Sequence, residues 1–571
     1  VAEDDRGKAR TEQLGREIVA LLSCAPNPYK CRLLGTPETV SDRPMRIDGG
    51  IGMRHSIWVM IIAAMVFVSK GDCLMSDESI EFWAAHSSTK VGQADARPES
   101  AASSLSIAAA RGEYEAAQLV LSASKPLRGV RVCTGHLRRR RIGSISNRNI
   151  EVRYACYVPM PVHGRSAPDP LPLLDQIDVE PGKNLPIFVI VRVPRNARAG
   201  IYTAPVQIEW EGGKTQTTLT LTVWDFSLPK KPSCVTAFGY IKDLIAQAHG
   251  LEMQSARAQE LAAKYCAMML DYGLSPFHIP APYSSRETRR FLEDPRLTSF
   301  VIEYSENDDE LAETIRLLKD RGWWSKGYFY IQDEPCNEEQ YQRLRQTSQR
   351  VKSFAPDARI VSPFFRRPEF DETKSIFDLA ADDVNIWCIS SHHYDLDPVV
   401  REQYHKMKNR GDTLWWYVCC GPGSPYCNFF VEMSGMQHRM LFWQQKMNHV
   451  EGLLYWCTTY WNSDPSQGTG NDPWTDMATV KFINPNIYGD GSLFYPGNKV
   501  GFDGPVLSQR MLIIRDGIED FEYLTILQER RGDRKAEEMI SRLVTSMTEY
   551  CQAPEQLEQI RSEIAHDIEG K

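Results

Sequence analysis

The chain has 571 residues, 42% of them hydrophobic and 25% charged, with a formal net charge of −8. That length calls for two or more domains with sizeable cores, and the composition excludes a disordered chain. The acidic balance argues against a nucleic-acid partner, which needs a basic face.

Residues 1–52 and 53–73 read as two different things. Arg54 and His55 followed by the apolar run Ile57 to Val68 form the n- and h-regions of a secretory signal peptide. The run is too short for a stable membrane span. Ser69 and Gly71 stand at −3 and −1 of a cleavage site before Asp72, and Cys73 raises a lipoprotein alternative. Met53 sits just before this segment, so residues 1–52 are expected to be an extension outside the natural product; the competing reading is a real helix from Thr11 to Leu22. The expectation is an exported protein, whether periplasmic, secreted or surface-anchored.

Residues 74–228 carry short strands. Leu105 to Ala110 and Tyr114 to Leu121 flank a turn at Arg111-Gly112-Glu113, Leu185 to Val193 is an apolar run, and Ile201 to Trp210 and Leu219 to Trp224 flank Glu211-Gly212-Gly213-Lys214. Leu219, Leu221 and Val223 alternate with Thr218, Thr220 and Thr222, the period of a half-buried strand. A β-sandwich is expected. The basic run Arg138 to Arg141 reads as a solvated loop. Leu228-Pro229-Lys230-Lys231-Pro232 reads as a linker.

Residues 229–530 alternate strand and helix. The predicted strands are Thr236–Tyr240, Ser275–Ile279, Ser299–Ile302, Gly327–Gln332, Ile360–Ser362, Val384–Ile389, Leu414–Val418 and Gly452–Trp456. Predicted helices between them include Ala256–Tyr272, Asp308–Arg321 and Arg439–Asn448. Eight such units fit a (β/α)8 TIM-type barrel. Residues 531–571 are expected to form a helical tail, with a last amphipathic helix near Lys535–Met547.

The chemistry is expected where Gly327-Tyr328-Phe329-Tyr330-Ile331-Gln332 runs into Asp333-Glu334-Pro335. Two carboxylates at the C-terminal end of a buried strand, just before a capped helix, stand where barrel enzymes keep their catalytic groups. A pair of carboxyls points to glycoside hydrolysis. Standard retaining enzymes space the pair about 5–5.5 Å apart across the sugar, and inverting enzymes roughly 6.5–9.5 Å. Consecutive residues share one edge of the site and fit neither scheme well. They fit substrate-assisted hydrolysis, in which the sugar's 2-acetamido oxygen attacks the anomeric carbon. One carboxylate then holds the acetamido N–H, and the other protonates the leaving oxygen and later activates water.

Aromatic residues crowd the second half, at Trp323-Trp324, Trp387, Trp415-Trp416-Tyr417, Tyr455-Trp456, Tyr460-Trp461 and Trp474. Flat apolar faces suit the C–H faces of sugar rings. By their place at or past strand ends, Trp387, His392, Tyr417, Trp456, Tyr460 and Trp461 are candidates for substrate binding, as is Arg515 at the start of the closing helix. Each has a competing structural reading as core or as an ion pair. His392-His393 lacks further ligands at metal spacing, the 14 cysteines include no Cys-x-x-Cys, and neither a metal nor another cofactor is expected. Cys419 and Cys420, as strand neighbours, are expected to face opposite ways and so not to pair.

In order along the chain, Gly112-Glu113-Tyr114-Glu115-Ala116-Ala117-Gln118, Pro168-Asp169-Pro170-Leu171-Pro172, Val223-Trp224-Asp225-Phe226, Asp333-Glu334-Pro335, Trp415 to Cys420, Gly452 to Trp456 and Arg515 to Leu524 resemble glycoside hydrolase family 123, the β-N-acetylgalactosaminidases. The resemblance implies a β-sandwich followed by a (β/α)8 barrel, and a retaining substrate-assisted mechanism. It implies that Asp333 orients the acetamido group and that Glu334 is the general acid/base. The expected partner is a glycan ending in N-acetylhexosamine. Two alternatives stay open: a related glycosidase for another sugar, with a distant carboxylate such as Asp395 or Asp464, and a non-catalytic glycan-binding surface protein.

Overall fold

A computed structural model describes residues 80–571, apart from 141, 366–367, 369, 372, 462–470, 482 and 571. The segments expected to be a signal peptide and an N-terminal extension, the expected helix Thr11 to Leu22, and Asp464 lie outside the described residues. Among the described residues no helix is long and apolar enough to cross a membrane.

The N-terminal region is built of β-sheet. Strands Ile80–His86, Tyr114–Ala123, Leu185–Arg192 and Ile150–Tyr154 lie side by side in that order, all antiparallel. A second sheet runs Ile177–Val179, Leu127–Thr134, Gly200–Trp210, Gly213–Ser227, Leu105–Arg111, with the last strand parallel to its neighbour. One apolar core, including Leu119, Ile187, Val206 and Leu221, is shared by both sheets. The Thr/Leu alternation holds, with Leu219, Leu221 and Val223 buried and the threonines between them half-buried. The strand nevertheless starts six residues earlier than the alternation predicts, at Gly213. Its turn is two residues, Glu211-Gly212, and the polar stretch 213–218 is zipped onto Pro205–Trp210. Gly212 has φ +92°, which an L side chain resists.

The second region holds a parallel seven-stranded sheet curled into a nearly closed barrel. In sheet order the strands are Val235–Phe238, Gly452–Tyr455, Thr413–Val418, Ile386–Ser390, Ile360–Phe364, Gly327–Tyr330 and Phe300–Val301. The predicted strand Ser275–Ile279 forms no ladder. It spans the seam instead, where Phe238 N–H donates to the Ser275 carbonyl (2.8 Å) and Phe277 N–H to that of Phe238 (2.8 Å), while Val301 N–H donates to the Phe277 carbonyl (2.8 Å). Pro276, with no N–H to give a ladder, sits at its centre.

Both faces of these strands are buried, so they read as unbroken apolar runs. Alternation divides their side chains. Tyr328, Val361, Ile386, Cys388, Trp415, Tyr417 and Leu454 fill the lumen. Phe329, Ile360, Trp387, Ile389, Trp416, Leu453 and Tyr455 pack outward in the large core shared with the helices. Tyr328 and Trp415 meet edge to face inside, 5.2 Å between ring centres.

The helices start where side chains can cap them. Ser255 caps Ala256–Asp271, and Asn307 caps Asp308–Asp320, whose first turn is acidic. Gly435–Met447 begins four residues before its predicted start, because Ser434 and Gln437 form a capping box. The predicted Lys535–Met547 helix is Asp533–Ser541, and a separate helix, Pro554–Glu569, ends the chain.

The long helix Gln509–Arg531 is buried along most of its length. At Gly517 an added Cβ would lie 2.3 Å from the Phe442 ring, so Gly lets this helix close on Gly435–Met447. Buried charges join it to the N-terminal sheets. Asp169 accepts from the Arg510 guanidinium (2.8 Å) and from Tyr495 Oη (2.6 Å). Arg561 binds Glu113 (2.6 Å), Glu115 (3.0 Å) and Asp520 (2.7 Å), and Asp520 also takes Arg439 (2.7 Å). Several of the motifs that carry the family resemblance are thus internal clamps.

Candidate active site

The Gly327–Tyr330 strand delivers Asp333 and Glu334 to its C-terminal end, both half-buried. Ser362 Oγ on the neighbouring strand donates to the Gln332 carbonyl (2.6 Å) and pins the approach. On the far side Gln340 Oε1 accepts from Cys336 N–H (2.8 Å), and Asn337 caps Glu338–Phe354. Between these anchors Glu334 has φ +39°, a left-handed conformation that a long side chain adopts at a cost of about 1–3 kcal/mol. Such strain persists where the surroundings hold a side chain in one direction.

Each carboxylate has its own tyrosine. Tyr330 Oη, on the same strand, donates to Asp333 Oδ1 (2.5 Å). Tyr417 Oη, from the Thr413–Val418 strand, donates to Glu334 Oε1. Burial pushes the Asp333 carboxyl above its ordinary range, and the Tyr330 hydrogen bond opposes that rise. Burial and the adjacent carboxylates push both phenols well up, so they stay neutral donors.

Trp456 follows the Gly452–Tyr455 strand directly and packs with Cys420 and Tyr460 just past the strand's end. It is half-buried and firmly set. Its indole N–H donates to Asp490 Oδ2 (3.2 Å), and its ring centre is 4.8 Å from that of Tyr460. Gly491, at φ +67°, lies flat behind it, where a Cβ would come within 2.2 Å of the indole. Asp490 is buried and also accepts from Tyr455 Oη (3.1 Å). Burial raises its pKa to about 7. Contact with Cys420 and burial raise the pKa of the Cys419 thiol, and the charges of Glu334 and Asp490 add to the rise.

The predicted site residues therefore divide. Asp333, Glu334 and Tyr417 come together, and Trp456 stands just past the end of the Gly452–Tyr455 strand. Tyr460 is buried with Phe430, Met433 and Val480 and backs Trp456. His392 lies on the short helix Ser391–Leu396, its ring edge-on to Tyr426 at 4.9 Å. Burial lowers its pKa.

Three expectations are corrected. Trp387 points away from the lumen, because Ile386 and Cys388 take the inward positions; its ring stacks on Phe364 (5.6 Å) and meets Phe377 tilted (4.6 Å), and its N–H donates to Asp412 (2.9 Å). Trp461 is buried, donating to the Phe494 carbonyl (2.9 Å) and set edge-on to Tyr265. Arg515 is buried between the rings of Tyr114 (4.6 Å) and Tyr272 (4.7 Å), a cation–π clamp onto the N-terminal sheet.

Tyr330 and Asp490 escaped the sequence reading. Tyr330 was open to inference, since it shares a strand face with Tyr328 and stands three residues before Asp333. Asp490 had only the weak signal of an acid between two glycines, Gly489 and Gly491. Asp395, an alternative distant acid, is held by Arg401 (2.9 Å) and Tyr426 Oη (2.9 Å).

A half-buried acid pair just past a strand end of a nearly closed parallel barrel, each acid bonded by its own tyrosine, fits a hydrolase. The chain belongs to glycoside hydrolase family 123: the model of the family's catalytic domain matches residues 245–527, and that of its N-terminal domain residues 88–210. Among solved structures it is similar to a family 123 glycoside hydrolase from Clostridium perfringens, described for glycolipid glycan hydrolysis, at 13% identity and a TM-score of 0.64 over 86% of this chain and 98% of that one. A GH2 β-galacturonidase from Eisenbergiella tayi, with galacturonate bound, matches at 12% identity and a TM-score of 0.30 over 78% and 72% of the two chains. A Parabacteroides merdae β-glucuronidase matches at 10% and 0.26 over 78% and 52%. No curated protein sequence matches the chain.

Proposed function

We propose that this family 123 hydrolase is an exported, retaining, exo-acting β-N-acetylgalactosaminidase whose nucleophile is the substrate's own 2-acetamido group. The supporting observation is the acid pair itself: two consecutive carboxyls on one strand end, each held by a separate tyrosine. Among the described residues, Asp490 is engaged with Trp456 and Tyr455, and Asp395 with Arg401 and Tyr426. A distant-nucleophile scheme therefore has less to draw on.

In the first step the acetamido carbonyl oxygen attacks C1. The glycosidic bond breaks as Glu334 gives its proton to the leaving oxygen. Asp333 accepts the acetamido N–H and stabilises the oxazolinium charge, which favours its ionised form against the effect of burial. In the second step Glu334 takes a proton from water as that water attacks C1 and reopens the ring. Two inversions give net retention. Trp456 offers its face to the sugar. The barrel is read as a (β/α)8 TIM-type fold, its second unit reduced to the seam segment at Ser275–Phe277, with the helices after Arg531 as a tail. The glycolipid glycans hydrolysed by the Clostridium perfringens relative make glycolipid-borne chains ending in β-GalNAc the first natural substrates to try.

The test compares aryl β-N-acetylgalactosaminide, β-N-acetylglucosaminide and β-galactoside, with Glu334→Gln as control. Turnover of the GalNAc substrate, at least ~100-fold weaker in the variant, is expected for a lost general acid. Equal turnover of the 2-hydroxy galactoside would refute the acetamido mechanism. Recovery of the protein with its N-terminus at Asp72 in an exported fraction tests the export.

A further inference from the structure

Alternation along a strand would send the side chains of Cys419 and Cys420 to opposite faces. The strand, however, ends at Val418. Cys419 N–H donates to the Gly421 carbonyl (3.0 Å), and Asn428 Nδ2 donates to the carbonyls of Cys419 (2.8 Å) and Pro422 (3.0 Å). This turn brings both thiols to the same side, with their sulfurs 3.7 Å apart. Neither residue is fully buried. Cys419 borders the lumen two residues beyond Tyr417, the hydroxyl donor to Glu334. Cys420 packs in the small cluster of Tyr460 and Trp456. The dithiol thus touches both halves of the site, acid side and aromatic side.

We propose that Cys419 and Cys420 are a redox-responsive dithiol in the wall of the active site, closing to a vicinal disulfide by exchange with a small-molecule disulfide and thereby slowing turnover. Cys420 loses its proton to solvent and attacks one sulfur of the small disulfide RSSR, forming Cys420–S–SR and releasing RS⁻. That thiolate takes the proton of Cys419. Cys419 sulfur then attacks the Cys420 sulfur, forming the ring bond and expelling the second RS⁻, which is protonated from solvent. Dithiol plus RSSR gives disulfide plus two RSH, with two electrons and two protons passing to the small molecule. Cys420 goes first, because contact with its neighbour's sulfur, burial, and the charges of Glu334 and Asp490 hold the Cys419 thiol neutral.

Closure must draw the sulfurs from 3.7 Å to about 2.05 Å. Adjacent Cα atoms are about 3.8 Å apart, shorter than the usual disulfide span of roughly 4.4–6.8 Å. The ring is therefore strained and readily reduced, as a reversible switch requires. The movement falls on the backbone joining Tyr417 to Cys419 and, through the pairing of Val418 with Tyr455, on Trp456. Displacement by about 1 Å at such groups costs on the order of 100-fold in rate.

The experiment treats the full chain with glutathione disulfide, alkylates the remaining thiols, and maps the tryptic peptide 411–439 by mass. Kinetics on the aryl glycosides are followed in parallel. Expected are an internal bond between Cys419 and Cys420 with Cys427 alkylated, and a fall in kcat of at least ~10-fold that dithiothreitol reverses. In Cys420→Ser the ratio of oxidised to reduced activity should stay near one, whatever the basal rate. Recovery of both thiols alkylated, a bond to Cys427 instead, or a closed ring with unchanged kcat would each overturn the proposal. The kinetic arm rests on the proposed glycosidase activity. If no aryl glycoside is turned over even when reduced, that activity is what fails, and the mass map still decides whether the ring forms.

Discussion

Tyr330→Phe tests the acid pair most sharply, because it deletes one hydroxyl and little else. The ring lies 6.1 Å from Phe277, and Phe retains that contact. What disappears is the donor 2.5 Å from Asp333 Oδ1, which holds the carboxyl down against the upward push of burial. A hydrogen bond to a charged group is worth about 1.5–3 kcal/mol. Its loss raises the Asp333 pKa, and on the acid limb that energy is on the order of 10–100-fold in the ionised fraction. The sign follows from the role proposed for Asp333, which works ionised. With a higher pKa, less of it is ionised at acid pH, so activity is lost on the acid side and recovers as pH rises. The assay is kcat/KM for the aryl β-N-acetylgalactosaminide across pH in both proteins. An acidic limb displaced to higher pH, with activity about 10-fold or more lower on that limb and the two profiles converging at high pH, is expected. A limb in the same place, or a loss equal at every pH, would refute the idea that Asp333 acts as an anion tuned by Tyr330.

Trp387→Ala should cost about 3–5 kcal/mol of stability in urea, because the ring fills the outer core, while Trp387→Phe should keep KM unchanged. Asp490→Asn should raise KM more than it lowers kcat, by loosening Trp456. It should also change the pH dependence of stability. A carboxyl raised to about 7 in the fold contributes stability below its unfolded pKa and loses it as pH rises through 7, so the variant should gain on the parent in Tm from pH 5 to pH 8. A gap that stays constant would contradict the assigned burial. Arg561→Ala should cost about 3–5 kcal/mol in chemical denaturation, since Glu113, Glu115 and Asp520 would remain buried without their shared cation; a loss under about 1 kcal/mol would mean that water reaches them.

The sequence by itself determined the order of elements and the place of the acids. Apolar runs of four to six residues read as strands with both faces covered, and the acid pair read as standing just before a capped helix. Asp333 and Glu334 were legible because an acid pair directly after Gly327-Tyr328-Phe329-Tyr330 has no packing reason to be there. These are local signals, carried by neighbours in the chain.

Which side of a doubly buried strand each residue takes was decided only by the tertiary structure. Trp387, Trp415, Trp416 and Tyr417 look alike in a continuous apolar run, since lumen and helix layer are equally apolar and hydrophobicity leaves no phase to read. The register of the closed sheet turned Trp415 and Tyr417 inward and Trp387 and Trp416 outward. Arg515 and Trp461 were misplaced for a related reason: their partners, Tyr114, Tyr272 and Phe494, are remote in sequence. The meeting of Tyr417 with Glu334, and of Asp490 with Trp456, likewise depends on where segments remote in sequence end against one another. No spacing along one chain encodes that, because only the closed barrel brings those ends to a common rim.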